Sequence, residues 1–331
     1  MFFTYHISRF LIRPNQRSMS EGDELMNFPK ISEEERLIRL NHPSDKVRFV
    51  LDTDTYNEID DQFALIYALM SPEKLDFEAV YAAPYFNNRS SGPADGMEKS
   101  YEEILRLLNF MDVKPEGFAY RGSTAYLKDR DKPEKSEAVL DLIERAMKQD
   151  DRLLYVSAIG AITNIASAIM LEPEIVNRIV VIWLGGQPLH WSSASEFNLM
   201  QDIRASRLIF DCGVPLIHIP CSGVTSHLLT TESEMAKYVK GQGKVGDYLY
   251  EIFVNYHPDQ YAYSKVIWDI SAIAWLLNPN WVPTEIVHSP ILTDQVTYSF
   301  DNKRHFIRNA IFVHRDPIFR NLFDKLKTRN V

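Results

Sequence analysis

From Val47 onward, short apolar runs alternate with longer amphipathic segments. Apolar runs of about four to eight residues are typical of buried strands, whereas apolar residues that recur at every third or fourth position indicate helices. The predicted strands are residues 47–52, 77–83, 153–158, 179–184 and 215–220, and the clearest predicted helices are residues 61–70, 99–111, 163–171 and 203–213. This alternation predicts an α/β fold with a mostly parallel central sheet flanked by helices.

The two ends of the chain have a different pattern. After Pro220 the sequence predicts helices at residues 234–239, 245–254 and 269–277, a strand pair around Ile291 to Phe300, and a C-terminal helix at residues 317–326. Residues 1–46 are polar and interrupted by Pro14, Pro29 and Pro43, with one short helical pattern at residues 32–40. We therefore expect an N-terminal extension at residues 1–46, followed by a single domain at residues 47–331.

Composition narrows the class of protein. The 331 residues are 45% hydrophobic, which is enough apolar material for a large core. A formal net charge of -9 leaves no broad basic surface, so we expect no nucleic-acid partner. No apolar run approaches the roughly 20 residues of a membrane span, which predicts no membrane partner. Cys212 and Cys221 lack paired spacing and lie among apolar residues, as buried thiols in a cytoplasmic protein do.

Acidic residues are concentrated just after the first predicted strand. Asp52, Asp54, Glu58, Asp60 and Asp61 lie within ten residues. Ligands of open α/β sheets bind at the carboxyl ends of strands, so the position suits a site. A preference for the start of a helix explains Asp60 and Asp61 but not the two acids on the strand end. So many like charges need a cation, and carboxylate oxygens favour Ca²⁺ or Mg²⁺.

One interpretation of this segment is a phosphatase site. An apolar strand that leads into Asp-x-Asp resembles the haloacid dehalogenase family, in which Asp52 would be the nucleophile and Mg²⁺ the metal. That family usually has Thr or Val where this chain has Tyr56, and it does not require the Asp60–Asp61 pair. The phosphatase reading stays an alternative.

Asp-Thr-Asp at residues 52–54 followed by the pair at 60 and 61 resembles the inosine-uridine nucleoside hydrolase family. Later segments match that family in order, at residues 157–169 with Gly-x-x-Thr-Asn, 180–186 ending in Gly-Gly, 196–202 with Glu-Phe-Asn, and 267–269 with a final Asp. The resemblance covers about residues 47–325. It implies a nucleoside hydrolase-like fold with a Rossmann-like core, and calcium-dependent hydrolysis of a ribonucleoside or related N-riboside into free base and ribose.

The resemblance also implies metal-binding and catalytic roles for individual residues. Asp54, Asp61 and Asp269 would bind Ca²⁺ with their side chains, and Thr163 with its backbone carbonyl. Asp54 would also be the general base that takes a proton from the attacking water. Asp269 would contact the substrate as well. The family's typical dimers or tetramers imply a homo-oligomer.

The remaining implied roles concern ribose. Asp60 would hold the 2′-hydroxyl, while Glu196 and Asn198 would bind the other hydroxyls. An Asn beyond the second strand contacts ribose in this family, and the chain offers Asn87, which we prefer, and Asn88.

Two features depart from the family pattern. Five residues, Thr55 to Ile59, separate Asp54 from Asp60 where the usual motif has three, so Asn57 and Glu58 either reach the site or bulge away from it. Trp268 stands where many purine-cleaving members have the His that protonates the leaving base. An indole cannot supply that proton, although it can stack on a base or line its pocket.

A different proton donor is therefore needed if the leaving base is to be protonated. Candidates by residue type are His190, His227, His257, Tyr261 and Tyr263, and the sequence does not choose among them. A third hypothesis follows, in which the chain is a non-catalytic homologue that binds calcium and ribose without turnover. The sequence shows no dinucleotide fingerprint, Walker loop, zinc-protease motif or nucleophile elbow.

Overall fold

The computed structural model describes residues 28–127 and 132–328. An eight-stranded sheet runs through the middle, in the order β3-β2-β1-β4-β5-β6-β12-β9. Its strands are β1 (Val47–Thr53), β2 (Leu75–Ala82), β3 (Ala119–Arg121), β4 (Leu154–Ala158), β5 (Ile179–Leu184), β6 (Leu216–Ile219), β9 (Thr284–His288) and β12 (Phe306–Ala310). Neighbouring strands are parallel except that β9 is antiparallel to β12. The predicted mostly parallel sheet is thus confirmed.

Helices cover both faces of this sheet. They are α1 (Glu33–Arg39), α2 (Asp60–Leu69), α3 (Pro93–Phe110), α4 (Glu137–Met147), α5 (Thr163–Leu171), α6 (Phe197–Gln201), α7 (Ile203–Asp211), α8 (Glu232–Tyr238), α9 (Gly243–Tyr256), α10 (Ile270–Leu277) and α11 (Arg315–Thr328). Two short ladders lie outside the sheet, β7 (Leu229–Thr230) with β8 (Lys265–Val266) and β10 (Ile291–Leu292) with β11 (Tyr298–Ser299). The second ladder is the predicted strand pair. No described helix is long and apolar enough to cross a membrane.

The burial of β1 explains why helices lie on both faces of the sheet. All seven residues of β1 are buried. Phe49 and Leu51 belong to one apolar core, packed with residues of α2, α10 and α11, whereas Val50 belongs to a second core with residues of α4, α5 and α7. Side chains of a strand alternate between faces, so a strand that is apolar on both sides must lie between two helical layers.

Part of the predicted N-terminal extension packs against the domain. Ser32 caps α1 by accepting the N–H of Glu35, and Leu40 is fully buried. Arg36 is buried and its Nη1 donates to the carbonyl of Gly213 at 2.7 Å. Residues 1–27 lie outside the described part of the chain, and so does the Pro14 interruption.

A partly buried imidazole close to α1 makes the stability of the fold depend on pH. Burial, with the charges of Arg36 and Arg304, lowers the pKa of His305 to about 3. In the unfolded chain His305 is protonated near pH 6.5, whereas in the native state it stays neutral until about pH 3. The free energy of unfolding therefore falls as pH drops from about 6.5 towards 3. By pH 5 the loss from this group reaches about 2 kcal/mol.

We expect His305→Leu to remove this part of the acid loss. The measurement is the free energy of unfolding in urea at pH 7 and pH 5, for the variant and the wild type in the same chelator. His257→Leu, at an exposed histidine, should keep the wild-type difference between the two pH values. An equal acid loss in His305→Leu and wild type would contradict the assignment.

Candidate metal and ligand site

The acidic segment lies at the carboxyl end of β1, at the centre of the sheet. Asp52 is in β1, Asp54 follows it, and Asp60 and Asp61 form the first turn of α2. The N-terminal end of a helix carries a partial positive charge, which favours acids there. Asp269 directly precedes α10, which packs against α2. Residues more than two hundred positions apart therefore meet at one edge of the sheet.

The carboxylates form a tight cluster. Single oxygen atoms of Asp60, Asp61 and Asp269 lie within 4.8 Å of one another. Asp54 is fully buried, and neither of its carboxylate oxygens has a hydrogen-bond partner among the described residues. Thr53 donates its hydroxyl to Asp61 Oδ1 at 2.5 Å. Anionic oxygens that are buried together, with both oxygens of Asp54 lacking a donor, fit a hard cation such as Ca²⁺ or Mg²⁺.

The pKa values of these groups agree with that fit. Burial raises the pKa of Asp61 to about 7, with a further contribution from the charge of Asp60. Burial also raises the pKa of Asp60 to about 6. The pKa values of Asp54 and Asp269 are raised well above the usual range, first by burial and then by the neighbouring carboxylates. A bound cation would remove the cost of ionising such a group.

Asp52 has a different environment from the other acids. Like Asp54, it is fully buried and does not line the cavity beside the cluster, and its Oδ1 has no hydrogen-bond partner among the described residues. Its Oδ2 accepts a hydrogen bond from Asn164 Nδ2 at 2.7 Å, and the same nitrogen donates to the carbonyl of Ala82 at 3.2 Å. Through Asn164, Asp52 is thus linked to α5 and β2, a contact that the other acids of the segment do not make.

The turn from β4 into α5 approaches the cluster closely. A Cβ on Gly160 would lie 2.8 Å from Asp54 Oδ1, so only glycine fits there. Thr163 is the first residue of α5, and its hydroxyl donates to Asp202 Oδ2 at 2.9 Å. The metal role of the Thr163 carbonyl stays a prediction. Sequence reasoning did not single out Gly160, although it is the Gly of the matched Gly-x-x-Thr-Asn segment.

A cavity of about 270 Å³ lies over the cluster. Glu196 and Asn198 form part of its wall, at the start of α6. The Glu196 carboxylate accepts the N–H groups of Gly186 at 2.8 Å, Asn198 at 3.0 Å and Leu199 at 3.1 Å. Burial nevertheless raises the pKa of Glu196. These bonds hold a carboxylate firmly beside the acidic cluster.

Asn198 is fixed by the ends of two central strands. Its Nδ2 donates to the carbonyls of Ile159 and Leu184, each at 3.0 Å. The predicted ribose ligands Asp60, Glu196 and Asn198 therefore all line one cavity. Their individual contacts with hydroxyl groups stay predictions.

Aromatic side chains also line the cavity. Trp268 lines it, and the Trp268 backbone N–H donates to Asp60 Oδ2 at 3.1 Å. Phe197, which is 37% exposed, adds a second aromatic ring. Sequence reasoning missed six members of this cavity, which are Ile159, Leu184, Gln187, Phe197, Cys221 and Ser222. The first two and Phe197 lie inside the matched segments, next to residues that were singled out. The other three belong to no motif, so only the fold reveals them.

The extended loop between Asp54 and Asp60 does reach the site. Asn57 and Glu58 line the cavity, and they also line a neighbouring one. Glu58 forms an ion pair with Lys265 of β8. Asn87 lines the neighbouring cavity, where its Nδ2 donates to Asn57 Oδ1 at 2.6 Å, and Asn88 is exposed there. The ribose contact expected of Asn87 stays a prediction.

The possible leaving-group acids lie elsewhere. In the part of the chain that the structure describes, none of the five candidates lines the cavity. His227 packs against Phe312 at 4.5 Å between ring centroids, and His257 stacks on Tyr263 at the same separation. His190 lines a separate cleft, and Tyr261 is 90% exposed. The site thus has no histidine at the position expected for protonating a base.

Comparisons with known proteins agree on one family. The family model described as inosine-uridine preferring nucleoside hydrolase matches residues 49–305. A probable uridine nucleosidase 2 of Arabidopsis thaliana is 28% identical over 242 residues, covering 66% of this chain and 73% of that protein. A pyrimidine-specific ribonucleoside hydrolase RihA of Citrobacter koseri is 26% identical over 254 residues, covering 68% and 78%.

Solved structures share the fold. A plant nucleoside hydrolase, the PpNRh1 enzyme, has a TM-score of 0.68 at 19% identity, covering 85% of this chain and 99% of that one. A purine-preferring ribonucleoside hydrolase from Gardnerella vaginalis also has a TM-score of 0.68, at 20% identity, covering 86% and 99%. At these identities the likeness concerns the fold alone.

Proposed function

The chain belongs to the inosine-uridine preferring nucleoside hydrolase family. From this we propose that it hydrolyses the N-glycosidic bond of a ribonucleoside or related N-riboside, with Ca²⁺ bound by Asp54, Asp61, Asp269 and the carbonyl of Thr163. The observation that carries the proposal is that oxygens of Asp60, Asp61 and Asp269 lie within 4.8 Å of one another. They lie beside a cavity lined by Glu196 and Asn198. A cation and a hydroxyl-rich sugar suit those neighbouring groups.

The metal would be held by Asp54, Asp61 and Asp269 with the carbonyl of Thr163. When bound, Ca²⁺ supplies Lewis acidity, which makes a water more acidic and anchors sugar hydroxyls. Support for an all-oxygen site comes from the two unpartnered oxygens of Asp54 and the close approach of Gly160 to that side chain.

Asp54 is the proposed general base, because its buried carboxylate can take a proton from the attacking water. Asp60 accepts a hydrogen bond from the ribose 2′-hydroxyl, and Glu196 and Asn198 bind the other hydroxyls. Water adds to the anomeric carbon as the bond to the base breaks, and nearby carboxylates stabilise the positive charge that develops on the sugar. Trp268 lines the cavity and contacts the substrate.

A screen of ribonucleosides tests this function. The protein is incubated with each ribonucleoside in calcium or in chelator, and released base and reducing sugar are measured. We expect release in calcium and little in chelator. Phosphate release from phosphomonoesters with Mg²⁺ would favour the phosphatase alternative. Binding of nucleoside without release of base, at high protein concentration and long incubation, would favour a non-catalytic homologue.

The metal can be tested apart from turnover. Calcium should raise the melting temperature of the wild type, since a ligand present at 100 times its Kd stabilises the native state by about 2.7 kcal/mol. Asp61→Asn should lose most of this shift, because it removes a ligand charge. Asp294→Asn, at an acid that is 87% exposed, is the matched control and should keep the shift. The same calcium shift in Asp61→Asn as in wild type would argue against the metal assignment.

Assembly and location complete the proposal. We propose a homo-oligomer, a dimer or tetramer as the family typically forms, which light scattering on the purified protein would test. We also propose a cytoplasmic location, supported by Cys212 and Cys221, which are both buried and unpaired.

A further inference from the structure

The turn after β5 contacts two other segments of the cavity wall. Gly186 and Gln187 follow β5, Glu196 directly precedes α6, and Cys221 and Ser222 follow β6. The last four of these residues all line the cavity over the acidic cluster. Three segments that are separated along the chain therefore meet at one part of its wall.

The main chain of Gly186 bonds to both of the other segments. Its N–H donates to Glu196 Oε2 at 2.8 Å, and its carbonyl accepts the N–H of Cys221 at 3.0 Å. Gly186 has a φ of +70°, and a Cβ at this position would lie 2.4 Å from the Tyr298 hydroxyl. Space and backbone conformation both exclude a side chain here, so only the next residue of the turn can reach the two segments with a side chain.

The Gln187 side chain adds a second bond to each segment. Its Nε2 donates to the carbonyl of Ser195 at 3.1 Å, and its Oε1 accepts the N–H of Ser222 at 3.1 Å. Ser195 directly precedes Glu196, so Gln187 holds the main chain from which the Glu196 side chain extends. An amide suits this position because it donates and accepts, whereas a carboxylate only accepts and an ammonium group only donates.

Gln187 is partly exposed, and a hydrogen bond that water can replace adds little to the stability of the fold. Its effect is instead on geometry, because one amide joins the segment before Glu196 to the segment that contains Ser222. We propose that Gln187 is a positioning residue, which holds the Glu196 carboxylate at the place where it binds the sugar. This inference rests on the proposed function for the role of Glu196.

Gln187→Met tests the proposal in the full-length protein with calcium. Met has an unbranched side chain of similar length but lacks the amide. We expect kcat/KM for the ribonucleoside that the screen identifies to fall about tenfold, since small displacements of binding groups slow reactions strongly. Gln187→Glu keeps the acceptor for Ser222 and loses the donor to Ser195, so it should lower kcat/KM as well. The calcium shift in melting temperature should stay as in the wild type, because Gln187 is not a proposed metal ligand.

Gln260→Met is the matched control. Gln260 is also partly exposed, and its Nε2 donates to the carbonyls of Val254 and His257. It does not line the cavity, so this variant should keep the wild-type kcat/KM.

A double-mutant cycle with Glu196→Gln distinguishes positioning from a general structural role. If Gln187 acts through Glu196, then Gln187→Met should lower kcat/KM by less than about twofold when Glu196 is already replaced. These slow variants are assayed at high protein concentration. An equal loss of kcat/KM in both backgrounds would show that Gln187 acts independently of Glu196 and would overturn the proposal.

Hydrogen–deuterium exchange reports the same geometry without turnover. The N–H groups of Gly186, Asn198 and Leu199 donate to the Glu196 carboxylate. Peptides that contain them should exchange faster in Gln187→Met than in the wild type, because local opening becomes easier. Gln260→Met should leave their exchange unchanged.

The two measurements separate this inference from the proposed function. Faster exchange in Gln187→Met, in a protein whose wild type cleaves no nucleoside, would keep the positioning of Glu196 and reject the hydrolase. An active wild type whose kcat/KM is unchanged by Gln187→Met would overturn the inference and keep the hydrolase. Wild-type exchange in Gln187→Met would overturn the inference in either case.

Discussion

Asp54→Asn is expected to lower kcat by about 10²- to 10⁴-fold, the contribution typical of a general base. An amide is nearly the same size as the carboxylate but takes up no proton at neutral pH. The variant also loses a proposed metal ligand, so turnover should be measured over a wide calcium range. The kcat at saturating calcium then reports the loss of the base.

The same substitution should stabilise the metal-free protein, although it lowers kcat. Burial, together with the charge of Asp61, raises the pKa of Asp54 well above its usual value, so ionised Asp54 destabilises the protein in chelator. Asp54→Asn should therefore melt higher than wild type in chelator at pH 8, with Asp294→Asn as the neutral comparison. A folded Asp54→Asn protein with undiminished kcat would reject the role of general base.

An activated substrate should be cleaved far more readily than inosine. No described residue lining the cavity is a histidine, and Trp268 cannot donate a proton to a departing base. A missing acid typically costs about 10²- to 10⁴-fold in rate. The phenolate of p-nitrophenyl riboside needs little protonation. We expect its kcat/KM to exceed that of inosine by a factor of this order.

The comparison is made from about pH 5 to 9, which brackets the histidine range. Trp268→Ala should weaken discrimination between substrates, since Trp268 helps to shape the cavity, and it should leave the form of the pH profile unchanged. His257→Leu is a control at a ring outside the cavity. Equal rates for the two substrates, with an acid limb that Trp268→Ala abolishes, would show that the role assigned to Trp268 is wrong.

The central strands were predictable because each has a short hydrophobic pattern of its own in the sequence. β1 is a short, mostly apolar run that leads directly into Asp52 and Asp54, so local sequence indicates both its burial and the acidic segment that follows it. The outer strands carry weaker signals. β9 is only half buried, and β12 contains Arg308 and Asn309, so neither forms a continuous apolar run. Their place in the sheet depends on pairing with each other and with β6.

Residue spacing likewise predicted only part of the site. Asp60, Glu196, Asn198, Trp268 and Asp269 do line one cavity. The sequence could not show that Asn87 bonds to Asn57, because that contact depends on the path of the extended loop. Nor could it show the neighbouring cavity that Asn57 and Asn87 line, whose wall combines α2 and α3 with α9, a helix far along the chain.

The bond from the Trp268 backbone to Asp60 joins segments 208 residues apart. Contacts of such long sequence separation carry a high loop-closure cost and form late in folding. A nascent chain that has been synthesised through α2 but not yet to α10 therefore holds Asp60 and Asp61 without Asp269, and an incomplete cluster gains no stability from ligand binding. On the proposed function, a cation or a nucleoside binds only the complete site. We therefore expect these ligands to slow proteolysis of the full-length protein and to leave unchanged the proteolysis of a product that ends before α10.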